Sequence, residues 1–211
     1  MKFFNRFLAI GLPVAALLCG CSTAPTTAPL LLTLPSAPLV ANTVPGGQQS
    51  PDAGLPGLAP LLAIRRVDIP EYMVARRVRY RTDASTLAEW PNTYWAERIE
   101  IGVSRAFGAA LRQQLPDWAL CDTTCADQRP ALALQVEFAP MDYLRSARQL
   151  QARARITISS TDATPRVLRT EDLSFELTAD ADTPQAQSLA IALLIRKVAA
   201  AVGPAVRNVK P

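Results

Sequence analysis

Four cysteines and no histidine set the limits on what chemistry this chain offers. Without histidine there is no Ser–His–Asp or Cys–His arrangement, and no side chain whose ordinary pKa lies near neutrality. The commonest metal ligand is missing as well. The most informative cysteine is Cys21, at the end of Leu18-Cys19-Gly20-Cys21. Basic Lys2 and Arg6 precede an apolar run from Phe7 to Leu18, the layout of a secretory signal peptide over residues 1–20. A small residue followed by cysteine is the lipobox pattern, which predicts cleavage after Gly20 and acylation of Cys21. An uncleaved membrane anchor is the alternative. The apolar run, however, is shorter than the roughly 20 residues that span a bilayer, and Pro13 interrupts it. Several acyl chains on one cysteine hold stably, where a single chain binds only marginally. Ser22 rather than Asp follows Cys21, which by lipoprotein sorting convention points to the outer membrane, on its periplasmic side.

Once Cys19 is removed and Cys21 acylated, Cys121 and Cys125 remain. In an oxidising compartment the pair fits a small disulfide loop. Metal binding is the alternative, but two cysteines without histidine make half a zinc site at most. Three carboxylate pairs stand close in sequence: Asp68 with Glu71, Glu97 with Glu100, and Asp180 with Asp182. Solvated charge accounts for each of them, so no catalytic group, metal or cofactor is expected. Arginines at 65, 66, 76, 77, 79 and 81 face only Asp68 and Glu71 locally. They suit an anionic partner, whether lipid headgroups or an acidic protein surface, or simply a hydrated strand face. Tyr72 and Met73 form an apolar tip that either anchors a partner or tucks against the core. Tyr72, Met73, Arg77, Arg79 and Arg81 are the candidate interface. Loss of Lys2 and Arg6 halves the formal net charge of +4, leaving no whole-molecule argument for nucleic acid.

The elements that position these residues follow from pattern. Residues 21–60 carry eight prolines after Cys21 and read as a lipidated tether, with 30–34 as a candidate first strand. Residues 61–211 form the folded domain. Leu61–Val67 reads as a buried strand, and Arg77–Arg81 alternates with period two. Trp95, Ile99, Val103, Phe107, Ala110 and Leu111 recur at helical spacing, with Asn92 as N-cap and Pro116 as the stop. Alternation over 132–138, 150–158 and 173–177 predicts an antiparallel meander buried on one face. Glu137 and Glu176 would flank Arg153 and Arg155 on the wet face. Thr183 caps a last helix with Pro184 at its first position, and Leu189, Ala190, Leu193, Leu194 and Val198 supply its buried stripe. The expected fold class is α/β: a single sandwich domain, a mixed sheet of about five or six strands with an antiparallel meander, and two long helices.

Val67-Asp68-Ile69-Pro70-Glu71-Tyr72-Met73 resembles the Val-x-x-Pro-Asp/Glu-Tyr-Leu turn of the ABC-type transport auxiliary lipoproteins, which include the paraquat-inducible protein C group. Val78-Arg79-Tyr80-Arg81, Trp95-Ala96 and Gln114-Leu115-Pro116-Asp117-Trp118 follow in the family's order and spacing. The Leu30–Pro35 segment lacks the aromatics of the family's first strand, and the Cys121–Cys125 loop is not part of its pattern. The resemblance implies a fold similar to the N-terminal domain of TolB and a non-enzymatic outer-membrane lipoprotein. It also implies partners: an MCE-domain periplasmic protein and an inner-membrane ABC permease with its ATPase, in a system that moves lipids or hydrophobic compounds and supports membrane integrity. The globular part would hold the MCE protein or copies of itself (a homo-oligomer). The alternative is a periplasmic carrier lipoprotein that binds lipid inside the domain.

Overall fold

The computed structural model describes residues 27–35, 59–122, 125 and 129–209; Cys21, the signal peptide and most of the proline-rich stretch lie outside them. Period-two sequence builds the centre of the fold. β6 (Leu132–Leu144), β7 (Gln149–Ser160) and β8 (Val167–Thr178) form the antiparallel meander. Leu132, Leu134, Val136, Phe138, Leu150, Ala154, Ile156 and Ile158 all point into the core. Their neighbours Glu137, Arg153 and Arg155 face solvent. Glu137 stands opposite Arg155, which in turn faces Asp172, with Arg155 Nε 3.0 Å from Asp172 Oδ1. Glu176 faces Gln151 rather than an arginine, because the register with β8 sets it one pair further along.

Two helices, α1 (Ile99–Gln114) and α2 (Pro184–Arg207), pack on each other, and α2 lies against β7 and β8. Thr183 Oγ1 accepts the Ala186 N–H at 3.2 Å, and Pro184 needs no intrahelical donor at the first position. α2 is long and apolar enough to cross a bilayer by length and composition alone. Its apolar side chains are instead spent on the domain core, where Ile191, Leu194, Ile195, Val198 and Val202 are buried. Leu189, expected in that stripe, is 55% exposed; the buried face centres on Ala190, Ile191 and Leu194.

The sheet has eight strands, more than the five or six expected. β1 (Leu30–Leu32), β2 (Leu61–Ile64) and β3 (Arg77–Arg81) fall where pattern places strands. β4 (Leu87–Trp95) and β5 (Ala119–Cys121) make the difference. Trp95 ends β4 instead of opening the helix. Asn92 sits inside that strand with φ 48° and is not a helix cap; the N-cap is Arg98. Pro91-Asn92 hides β4 from a period-two reading because proline withholds a ladder donor and Asn92 turns left-handed. The register between β3 and β4 shifts over the same stretch. Trp95 mimicked a helical position because it and Ile99 bury against one core.

β7 fills one edge of β6, so β2 and β3 share the other, end to end and both parallel to it. The chain between them stays tied to β6 through Arg65 N–H to Leu134 O at 2.8 Å and Asp68 N–H to Val136 O at 3.0 Å. β1 pairs in parallel with β4, and Ser188 of α2 donates to Thr33 O at 2.9 Å. Docking of β1 divides the stretch read as one tether. Residues 21–29 precede the first strand, and 33–60 connect β1 to β2.

Candidate functional site

β3 sends Val78 into the core and Arg77, Arg79 and Arg81 to the other side. Arg77 and Arg79 share Glu89, at 3.4 and 3.3 Å. Arg79 also donates to Tyr72 O at 3.0 Å, which fixes the Glu71–Met73 turn to the strand. Asp142 of β6 accepts from Arg81 at 2.7 Å and from the Tyr72 hydroxyl at 2.7 Å, while the Arg81 guanidinium lies over the Tyr72 ring. Burial first, and then the hydrogen bond to Asp142, push the Tyr72 phenol up. The hydrogen bond to Asp142 raises Arg81 as well. Three arginines thus meet two carboxylates on this face.

Met73 is not on that surface. It is 6% exposed and belongs to the core, so the tip tucks inward and leaves Tyr72 as its surface member. The face extends to a residue that pattern did not single out. Arg145, beyond β6, donates to Asp182 at 2.9 Å and to the Tyr80 hydroxyl at 2.9 Å. Its guanidinium lies 4.1 Å from the Trp90 ring centroid and 4.9 Å from that of Tyr80. No local spacing announces such a stack, because its three members come from different elements.

Glu100 is the larger departure. Read as solvated beside Glu97, it is 5% exposed and held by Arg98 and by Arg66 at 3.3 Å. Burial pushes its carboxyl up, but its own backbone N–H and the Arg98 and Arg66 charges outweigh that and hold it below the usual glutamate range. Ser104, one turn on, donates to Glu100 O at 2.9 Å and accepts from Val67 N–H at 3.2 Å. The first turns of α1 thereby clamp the segment leaving β2. Glu97 pairs with Arg105, and Asp68 accepts from Gln135 at 3.2 Å.

Cys121 and Cys125 are joined by a disulfide with Cα atoms 5.4 Å apart, between β5 and β6. Among the described residues no group of three or more His, Cys, Asp or Glu stands together to hold a metal.

The model of a protein family described as an ABC-type transport auxiliary lipoprotein component matches residues 43–202. Among solved structures, the crystal structure of an uncharacterized protein superposes with a TM-score of 0.65 at 14% identity, covering 85% of this chain and 99% of its own. A protein from Xanthomonas campestris superposes with a TM-score of 0.56 at 12% identity, covering 71% of this chain and 84% of its own. At such identities these likenesses speak for the fold alone. No curated protein matches the sequence.

Proposed function

The chain belongs to the ABC-type transport auxiliary lipoprotein family, and on that premise we propose that it is a non-enzymatic docking subunit at the outer membrane. Acyl chains on Cys21 hold it to the periplasmic side of the bilayer. Its domain receives an MCE-domain periplasmic protein, which connects to an inner-membrane ABC permease and ATPase that move lipids or hydrophobic compounds. The energy comes from the distant ATPase, and this subunit supplies position. The face carrying Tyr72, Arg77, Arg79 and Arg81 is the proposed contact for the partner or for further copies of the chain.

The observation that carries this reading is the family match over residues 43–202, joined to the lipobox ending at Cys21 upstream of it. The face around β3 suits recognition: its arginines are held in fixed positions by Glu89 and Asp142 but stay partly exposed. A partner carboxylate would meet guanidiniums already ordered, at little further entropic cost.

The test is a Cys21→Ala variant, followed by fractionation of the envelope and pull-down with the tagged wild type. The variant should leave the membrane fraction and fail to support membrane integrity, while the folded domain accumulates in soluble form. Wild type should capture an MCE-type protein. Full function without acylation, or turnover of a substrate by the purified chain alone, would overturn the proposal.

A further inference from the structure

Five of the six arginines between 65 and 81 divide between two surfaces. Those on β3 are matched by Glu89 and Asp142. Arg65 and Arg66 instead border α1, where Arg105 and Arg112 rise from the helix on either side of Gly108. These four arginines frame a cleft of about 520 Å³ between α1 and the β2–β5 end of the sheet. That size lies within the range of small-molecule sites.

Its lining has two characters. Ile64, Ile101 and Leu120 form an apolar stretch, in which Ile101 is 46% exposed. Around that stretch stand four guanidiniums and one carboxylate, Asp122. Arg66 is engaged by Glu100 and Arg105 by Glu97. Arg65 and Arg112 have no acidic partner among the described residues. Gly108 keeps the wall low: a Cβ there would meet only Arg112 Nη1, at 3.8 Å.

We infer that this cleft binds the phosphate headgroup of an anionic lipid, with Arg65 and Arg112 supplying the free guanidiniums and Ile101 and Leu120 receiving the first methylenes of its chains. Guanidinium matches phosphate oxygens in bidentate fashion and keeps its charge at every relevant pH. Positive charge alone would suit an acidic protein surface equally well. The exposed isoleucine inside the arginine frame is what favours a molecule with an anionic head and an apolar tail. The inference rests on this cleft and is independent of which protein the β3 face receives.

Native mass spectrometry of the full chain in neutral detergent tests it with three probes: dihexanoyl phosphatidylglycerol, dihexanoyl phosphatidylcholine and glycerol phosphate. One phosphatidylglycerol should bind at least about tenfold more tightly than phosphatidylcholine, and glycerol phosphate should be the weakest of the three. Arg65→Glu with Arg112→Glu should erase the preference, Gly108→Leu should block both lipids, and Arg196→Glu, at an exposed position of α2 outside both sites, should change neither. Should the Gly108 variant not fold, Arg65→Gln with Arg112→Gln, both at exposed positions, carries the test. Equal binding of the two lipids, or a preference that survives loss of both arginines, overturns the inference. Glycerol phosphate binding as tightly as the lipid would mark a free-phosphate site and overturn it too.

Discussion

Glu100 and Gln187 are buried polar side chains that tie separate elements together. Glu100→Gln keeps the shape and removes the charge that Arg98 and Arg66 both address. A loss of about 1–3 kcal/mol in urea unfolding is expected, since the two guanidiniums are partly solvated and keep water as a substitute. Because the Glu100 carboxyl is depressed in the folded state, its contribution is complete above the ordinary glutamate range and fades as pH falls through the folded value. Gln187, buried in α2, accepts from the Trp90 indole at 2.7 Å and donates to Arg79 O at 2.7 Å. Gln187→Leu leaves both partners without it in a dry site, so unfolding should again show a loss of about 1–3 kcal/mol. A loss under a few tenths would mean that water replaces the amide. Asp83 offers a sharper check. It accepts Ser85 N–H and Thr86 N–H, both at 2.8 Å, and these bonds hold its carboxyl down to about 2. Its contribution to the turn is intact above the ordinary aspartate value and is lost between there and about pH 2, which an NMR titration of the carboxyl carbon would follow. None of the first two roles was legible in sequence. Glu100 sits at i,i+3 from Glu97 like any wet pair, and its burial depends on an arginine from another element. Cys121 and Cys125 stand four apart in sequence, so their proximity, unlike that of Glu100 and Arg66, is local.

At the level of elements, legibility followed how much each one relies on its own sequence. β6, β7 and the capped start of α2 carry their periodicity in unbroken runs, so alternation and Thr183-Pro184 are enough. β5, three residues long, exists because β2 offers Leu61–Ala63 as a parallel template. β4 exists because β3 and β1 grip it on either side of Pro91-Asn92. Such strands are tertiary products, and no window of local sequence contains them. The helix pair obeys a similar logic at its far end. Gly203 lets α2 close on α1: a Cβ there would stand 3.1 Å from Gln114 Cβ, and Arg207 donates to Gln114 O at 2.8 Å beside it. Gly203→Leu should force the helices apart and lower stability by about 1–3 kcal/mol, read as a fall in Tm. Gly203→Ala should lie closer to wild type, because better helix propensity offsets part of the crowding. If leucine is tolerated as well as alanine, the helices are not held at that distance.

For the molecule as a whole, the docking of β1 alters the proposed geometry of anchoring. Thirty-odd residues of proline-rich chain after Cys21 would let the domain range far from the bilayer. With Leu30–Leu32 paired to β4, Ala96 N–H bound to Leu32 O at 2.8 Å, Asn92 Nδ2 donating to Thr27 O at 2.8 Å, and Leu32 and Leu34 buried, the chain from Cys21 to the sheet is at most residues 21–29. Fully extended, it spans about 30 Å. On this proposal the domain stays beside the membrane, so the partner must cover the distance to it, and a headgroup-binding cleft on α1 would lie within reach of the bilayer surface. The prediction concerns the acylated full chain on vesicles carrying an acceptor dye in the lipid. A donor dye at Leu31→Cys, an exposed edge position, should transfer energy as expected for a site within about 30 Å of the surface. Leu32→Asp should release β1 and lengthen the free run to residue 60, with transfer from a donor at Asp162, in the exposed turn between β7 and β8, falling in step. Transfer that is already weak in the wild type would show that β1 does not hold the domain close, and the short anchor would have to be abandoned.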